Sequence, residues 1–489
     1  MIEVKVNRGS YEYDIHSLIQ AFYPGEEVSV REKETFTEDV PLQMDVKLWD
    51  SEIEFALFQD KTLHKKGHIC VEDMERKLVK NQLKQLIYQT LSEYTGKNLP
   101  WGTLTGIRPT KIPMAMLEQG KSNVEIAQYM RSTYLCSREK TALAVSIANQ
   151  EREVLKNIDY KQGYSLYVGI PFCPSICLYC SFSSSPIKLW EKRVDEYLEA
   201  LFQELNFLGK AFRDRKLNTI YVGGGTPTTL TAGQLERLLT CIGNNFDYRN
   251  VQELTVEAGR PDSVTPEKFQ VLRDHKVTRV SVNPQTMNQK TLDLIGRKHT
   301  VEETKEAFYM ARKEGFDNIN MDLIVGLPGE TIEEVRHTME ELRTLDPDSI
   351  TIHSLAIKRA ARLAMFKEKY QEMGLKNSEE IMDLTYRYCV EQGIYPYYLY
   401  RQKNMAGNFE NVGYAKTGKA GIYNILMMEE KQTILAAGAG GATKFVFSPE
   451  RIERVENVKD VAQYISRIDE MIERKRGFMK ANGLWKHYD

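Results

Sequence analysis

An α/β fold is what the sequence predicts: a partial (β/α)6 TIM-like barrel between an N-terminal α+β domain and a mostly helical C-terminal subdomain. Three observations lead there. Apolar β-type runs recur at 165–170, 218–222, 253–257, 278–282, 319–325 and 349–355, with helical stretches between them. Several of those stretches open on start signals: Thr231-x-x-Gln234, Thr300-x-x-Glu303 and Thr331-x-x-Glu334 are capping boxes, and Thr265-Pro266 is an N-cap followed by Pro. On either side of this core the pattern changes character. Buried strands alternating with helices imply a parallel sheet covered by those helices, with the chemistry at the carboxyl ends of the strands. The expected division is 1–158, 159–357 and 358–489.

In the first part, Met1–Val6 and Pro41–Leu57 alternate apolar and polar residues as strands do. Residues 72–94 form an amphipathic helix with Met74, Leu78, Leu83, Leu86, Ile87 and Leu91 on one side. Its lysines, Lys77, Lys80 and Lys84, would suit a nucleic-acid surface, but the interspersed Glu and Gln favour a solvated face. Leu99–Lys111, rich in Gly, Pro and Thr, is an ordered loop, and 122–156 is helical. Asn157–Gly163 is a polar linker. Beyond 358 come helical patterns at 360–374 and 378–391, then Tyr395, Tyr397, Tyr398 and Tyr400 in one short run. A small-residue stretch, Ala436–Ala442, and a last amphipathic helix at 459–475 follow.

Composition sets bounds. With 489 residues, 42% hydrophobic and 27% charged, the chain reads as an ordinary globular protein of more than one domain. A net charge of −2 gives no global field for nucleic acid or an anionic membrane. No apolar h-region opens the sequence and no run of about 18 apolar residues occurs, so neither a signal peptide nor a membrane span is expected. Seven cysteines, three of them clustered, do not make a disulfide framework and suit a reducing cytoplasm. Cys70, Cys136, Cys241 and Cys389 are scattered as core thiols.

The cluster is Cys173, Cys177 and Cys180, spaced C-x3-C-x2-C directly after the run Leu166–Ile170. Thiols this close do not bridge one another without strain. They can converge from one short loop on a soft metal centre. Structural zinc usually takes four Cys or His ligands, and no fourth occurs between Tyr160 and Cys241. An iron–sulfur cube with one open iron fits three local thiolates better. Three buried structural cysteines are the plainer alternative.

The spacing, with Tyr167, Ile170-Pro-Phe-Cys173 and Tyr179 around it, resembles the radical S-adenosylmethionine (SAM) enzymes. More narrowly it resembles the oxygen-independent coproporphyrinogen III oxidase (coproporphyrinogen dehydrogenase) family, in its long-chain branch with an extra N-terminal region. The resemblance implies a radical SAM barrel, a [4Fe–4S] cluster on the three cysteines, and SAM on the fourth iron. It implies Tyr167 and Tyr179 beside the cofactor, Tyr167 also at the catalytic centre. Gly224, Gly225 and Thr226, in a glycine run that is neither a Walker loop nor a dinucleotide fingerprint, match the positions for SAM's amino group. Glu257, Gln285, Arg297, Asp322 and Ala356 match further SAM positions. Arg297 suits the carboxylate, Asp322 the ribose and Ala356 the adenine. Two departures stand out. Gly169 replaces a His common among relatives, and Glu257-Ala-Gly-Arg260-Pro replaces Glu-x-Asn/Asp-Pro.

By the same resemblance the cofactors generate a 5′-deoxyadenosyl radical that attacks propionates of coproporphyrinogen III. Decarboxylation then gives vinyl groups and protoporphyrinogen IX. A low-potential donor such as flavodoxin or ferredoxin and a final electron acceptor are implied partners. Tetracarboxylate recognition needs cations, and Arg359, Arg362 and Arg401 are the candidates, with Lys358 and Lys403 nearby. The four tyrosines either wall the macrocycle or pack a subdomain. Haem chaperones of the same superfamily carry His-Asn-x-x-Tyr-Trp. Here Gly407-Asn408-Phe409-Glu410-Asn411 is nearest, without that His or Trp. Haem-opening methyl transfer and RNA modification complete the alternatives, the last wanting a basic aromatic surface that the even charge does not offer.

Overall fold

The computed structural model describes residues 1–36, 40–71, 75–106, 108–356, 377–401 and 409–485. Backbone contacts divide the chain into two compact units, Met1–Asn149 with Leu399–Glu410, and Gln150–Tyr398 with Asn411–Asp489.

The first unit holds strands β1 (Ile2–Val6), β2 (Val28–Glu32), β3 (Leu42–Leu48), β4 (Glu52–Gln59) and β5 (Thr62–Cys70) in the order β2-β1-β3-β4-β5. Alternation in the sequence puts Val4, Val6, Met44, Val46, Ile53 and Phe55 into its core. Helices α1 (Glu12–Phe22) and α2 (Arg76–Thr95) bring Ile15, Leu18, Leu83 and Ile87 into the same core. Leu78, expected on the buried side of α2, is exposed, while Lys84 is buried and donates to Thr105 Oγ1. Burial pushes the Lys84 ammonium down to about 8. The lysine row of this helix is therefore not one solvated face. Three more helices follow: α3 (Lys111–Glu118), α4 (Asn123–Tyr134) and α5 (Arg138–Leu155). The helical stretch expected over 122–156 is α4 and α5, divided at Leu135, whose left-handed backbone (φ 55°) caps α4.

In the second unit the six expected β runs are strands. They are β6 (Gly163–Ile170), then, after the short pair β7 (Phe172–Cys173) and β8 (Ser185–Pro186), β9 (Lys216–Gly224), β10 (Glu253–Glu257), β11 (Arg279–Ser281), β12 (Ile319–Val325) and β13 (Ser349–Ser354). They lie side by side in sequence order, all parallel. The crossovers are helices α6 (Val194–Phe212), α7 (Ala232–Asn245), α8 (Pro266–Asp274), α9 (Gln289–Leu294), α10 (Val301–Lys313) and α11 (Ile332–Leu345). The capping boxes of Thr231, Thr300 and Thr331 form as the sequence predicts. The strands are not apolar throughout. Leu166, Val168, Ile220, Val222, Leu254 and Val256 are buried on one face, whereas Ser165, Tyr167, Thr219, Tyr221, Thr255 and Glu257 share the other. The barrel interior is polar.

The C-terminal part departs from the mostly helical expectation. Helix Glu379–Glu391 is there, but β14 (Tyr395–Tyr400), β15 (Asn411–Ala415), β16 (Thr433–Ala437), β17 (Ala442–Val446) and β18 (Ile452–Glu456) extend the barrel's sheet. The expected border at 357/358 thus does not separate compact units. Short runs of Tyr or small residues between glycines had concealed strands. Tyr397 and Tyr398 are core residues, and a Cβ at Gly413 would collide with the Tyr398 ring. The last helix is two, Val461–Ser466 and Ile468–Ala481. The first helical pattern expected here, 360–374, lies outside the described residues.

The Gly438 turn after β16 is fixed from inside. Glu204 of α6 is fully buried and accepts from Gly438 N (2.9 Å), Asn457 Nδ2 (2.9 Å), Tyr464 Oη (2.6 Å) and Lys475 Nζ (2.5 Å). Tyr197, one of the largest buried side chains, donates to Gly169 O at 2.6 Å, so this network backs the end of β6. Replacing Lys475 by Met strands a buried carboxylate and is expected to cost about 3 kcal/mol or more in urea unfolding. A loss under about 1 kcal/mol would show that the remaining donors suffice.

Candidate functional site

The cysteine loop leaves the carboxyl end of β6 and is tied down on both flanks. On one side Gly225 N donates to Ile170 O (2.8 Å) and Thr226 N to Phe172 O (2.7 Å). These donors belong to the glycine run that ends β9. Gly224 has φ 112°, a conformation that glycine adopts freely. A Cβ on Gly225 would lie 2.5 Å from Phe172 O and 3.0 Å from Cys173 Sγ. Glycine at 225 therefore lets the two loops touch, while a Cβ at Gly223 would instead meet Tyr221 and Glu257. On the other side Leu178 N donates to Ile295 O (2.9 Å), and Leu178 packs on Leu292, Ile295, Leu327 and Leu355.

Around the sulfurs, Thr226 Oγ1 lies 3.5 Å from Cys173 Sγ and Arg260 Nη1 3.6 Å from Cys177 Sγ. Among the described residues no three His, Cys, Asp or Glu side chains are placed to hold a single metal ion. Cys173, Cys177 and Cys180 come from one short loop, as thiolates to three different irons of an iron–sulfur cube would. Cys136, Cys241 and Cys389 lie away on helices or in core, their thiols pushed up by burial, Cys136 to about 12. Cys70 is exposed.

Arg297 follows α9 and is buried. Its Nη2 donates to the carbonyls of Gly259 (2.8 Å) and Asn283 (2.7 Å), and its Nη1 to Tyr179 Oη (2.9 Å). The fork expected to meet a carboxylate thus also clamps the loops after β6, β10 and β11. Its Nε is a buried donor without a partner, which an anionic ligand would satisfy. His299 nearby is fully buried with both ring nitrogens unpartnered, and burial beside Arg297 and Arg260 pushes it down to about 3, so it is neutral.

Inside the barrel Tyr221 stacks on Tyr423 (4.5 Å between ring centres) and more distantly on Tyr167 (6.3 Å). Tyr423 reaches this interior because Glu253 accepts from Ile422 N (2.6 Å) and Tyr423 N (3.2 Å). Tyr221 donates to Glu257 Oε1 at 2.5 Å. Burial raises the Glu257 carboxyl to about 7, with Asp322 adding to the rise and the bonds from Tyr221 and the Gly224 backbone opposing it. For Asp322 burial also pushes upward, but His353 and hydrogen bonds from Asn320 and Thr351 outweigh it, and its carboxyl is held below the usual range. Gln285 takes φ 68° and bonds by its backbone to Asp322 O and Ile324 N. Ala356 ends the described part of the loop after β13.

The strand ends thus bring together Tyr167, Cys173, Cys177, Tyr179, Cys180, Gly224, Gly225, Thr226, Glu257, Gln285, Arg297 and Asp322. Arg359 and Arg362, with Lys358, Lys403 and Gly407-Asn408, lie outside the described residues. Arg401 belongs to the first unit, where it is buried and donates to Leu104 O at 2.6 Å. Glu410 is likewise spent on Trp101 Nε1 (2.7 Å) and Lys140 Nζ (2.6 Å). Sequence reasoning missed Tyr221, Asn283 and His353, on strands or strand-end loops whose alternation carries the signal, and His299, in the connection between α9 and α10. Tyr423 had no such signal, since a distant segment delivers it.

Comparison with known proteins follows this geometry. Residues 167–342 match the radical SAM superfamily. The chain is 41% identical to the oxygen-independent coproporphyrinogen-III oxidase-like protein HemZ of Bacillus subtilis, over 83% of this chain and 82% of that protein. It is 34% identical to the heme chaperone HemW of Lactococcus lactis, over 57% of this chain and 69% of that one. Coproporphyrinogen III oxidase (HemN) of Escherichia coli shares the fold, with TM-score 0.52 and 23% identity over 66% of this chain and 73% of that chain. No helix among the described residues is long and apolar enough to cross a membrane.

The Glu257 carboxyl gives a pH test. Its proton is retained in the folded state up to about pH 7 but released near 4.5 in the unfolded chain, so wild-type stability is lost as pH rises through 7. Glu257→Gln is expected to lose roughly 2 kcal/mol less than wild type between pH 5 and pH 8. Parallel pH profiles would contradict the shift.

Proposed function

The chain belongs to the oxygen-independent coproporphyrinogen-III oxidase-like family of radical SAM proteins, and from that premise we propose that it oxidatively decarboxylates propionates of coproporphyrinogen III to give protoporphyrinogen IX. Its cofactors are a [4Fe–4S] cluster and SAM. When bound and reduced, they supply a carbon-centred radical able to take hydrogen from an unactivated carbon.

The residues divide that work. Cys173, Cys177 and Cys180 hold three irons as thiolates. Gly224, Gly225 and Thr226 offer backbone groups to the amino group of SAM, and Arg297 offers its Nε to the carboxylate. Asp322, charged in the interior, takes the ribose hydroxyls. Glu257 is poised to accept from ribose or ammonium, and a cation beside it draws its proton off. Gln285 and Ala356 line the nucleoside, Tyr179 backs Arg297, and Tyr167 lies between the SAM groups and the barrel floor.

On the substrate a hydrogen atom leaves the propionate β-carbon, the bond to the carboxylate breaks, and CO2 departs. One electron passes to an acceptor, leaving a vinyl group. Flavodoxin or ferredoxin is the class of donor that would supply the low-potential electron. Arg359 and Arg362 are the propionate partners in this reading, and Arg401 donates by Nη1 to Leu104 O in its own unit. The observation that carries the proposal is the cysteine loop held between the glycine run and the Arg297 turn above a polar barrel interior.

The likeness to a heme chaperone favours a second reading, haem delivery. One anaerobic experiment separates the two: reconstituted, reduced protein with SAM is offered coproporphyrinogen III or haem. Protoporphyrinogen IX formed with 5′-deoxyadenosine and CO2 is the expected result. A stoichiometric haem complex without tetrapyrrole turnover supports the chaperone, and consumption of haem supports methyl transfer.

A further inference from the structure

Arg260 lies in the loop after β10, where Glu257-Ala-Gly-Arg260-Pro replaces the resembling family's Glu-x-Asn/Asp-Pro, and its surroundings give it a task. The side chain is 4% exposed. Asp262 takes it bidentately, from Nε at 3.0 Å and Nη2 at 2.8 Å, and Ser175 Oγ, inside the cysteine loop, accepts from both Nη atoms at 3.2 Å. This leaves Nη1 fixed 3.6 Å from Cys177 Sγ. A loop from β10 carries the charge, and Asp262 and Ser175 together fix it beside the sulfur.

We propose that Arg260 is a positioning residue that sets the reduction potential of the cluster, its N–H and buried positive charge on Cys177 sulfur easing uptake of the electron, with Asp262 as the opposing charge. The inference rests on the cluster assignment above. Hydrogen bonds to cluster sulfurs and local net charge set such potentials. A cube on three thiolates becomes more negative when it accepts an electron, and a donor held at the sulfur favours that reduced state. The guanidinium stays charged throughout, so no proton enters the balance: one electron arrives from the low-potential donor and remains on the cluster. The neutral His299 behind Arg260 and Arg297 adds no competing cation. A chain with this arginine is thereby suited to a weaker reductant than one without it.

The test is a redox titration of reconstituted full-length protein, followed by electron paramagnetic resonance, with iron and sulfide counted in each sample. Arg260→Met should lower the ratio of reduced to oxidised cluster about tenfold at a fixed potential, a shift of about 59 mV to the negative side. Arg260→Lys should fall between Met and wild type. Asp262→Asn should shift the ratio the other way. Unchanged potentials in Arg260→Met and Asp262→Asn at normal iron content overturn the proposal, as do shifts of the same sign in both. If Arg260→Met holds no iron, Asp262→Asn decides by the sign of its shift. A wild type that binds no cluster would sink the cluster assignment itself, an outcome that the iron count distinguishes from an unmoved potential.

Discussion

The turn that carries three thiols is held by backbone hydrogen bonds to loops from other strands. Ile170 and Phe172 give their carbonyls to Gly225 and Thr226, and Leu178 gives its N–H to Ile295. Those bonds are made only if β6 and β9 run in register to Ile170 and Gly224, and only if no Cβ intervenes at Gly225. Cysteine spacing, glycine run and Arg297 turn are therefore one construction. A loop bearing the same three cysteines without these partners would leave polar backbone buried and unpaired, which costs more than a short segment can offset.

The polar barrel interior follows from the same alternation that builds the core. Leu166, Val168, Ile220, Val222, Leu254 and Val256 share one face of β6, β9 and β10 and are aliphatic, and the intervening Ser165, Tyr167, Thr219, Tyr221, Thr255 and Glu257 carry hydroxyl, phenol or carboxylate groups. These groups pair among themselves, as Ser165 with Thr219 and Tyr221 with Glu257, or with the segment before Tyr423. Glu253 and Arg279 at the far end are spent on that segment. The groups nearer the cysteine loop, Glu257, Asp322 and the Arg297 Nε, are those with capacity for a ligand.

Much of this was legible in the sequence, for physical reasons. The six strands, their helix caps and the cysteine loop are local patterns, and each was found where it was expected. Contacts made by distant segments were not legible: Tyr423 in the interior, Arg260 on Cys177, and Glu204 holding the Gly438 turn. The C-terminal strands are short, and two of them are placed by pairing with distant segments, β16 with β6 and β15 with β13, which no local pattern announces. The bond from Arg401 to the Leu104 carbonyl in its own unit is another contact between distant segments that the sequence does not announce.

The central claim is that three cysteines of one clamped loop hold a cube whose fourth iron is left to the ligand. Mössbauer spectroscopy of protein reconstituted with 57Fe, with and without SAM, tests it directly. The account predicts four irons per chain, of which one alone changes its parameters when SAM is added. Four irons that all ignore SAM, or a loop that takes up zinc in place of iron, would contradict it.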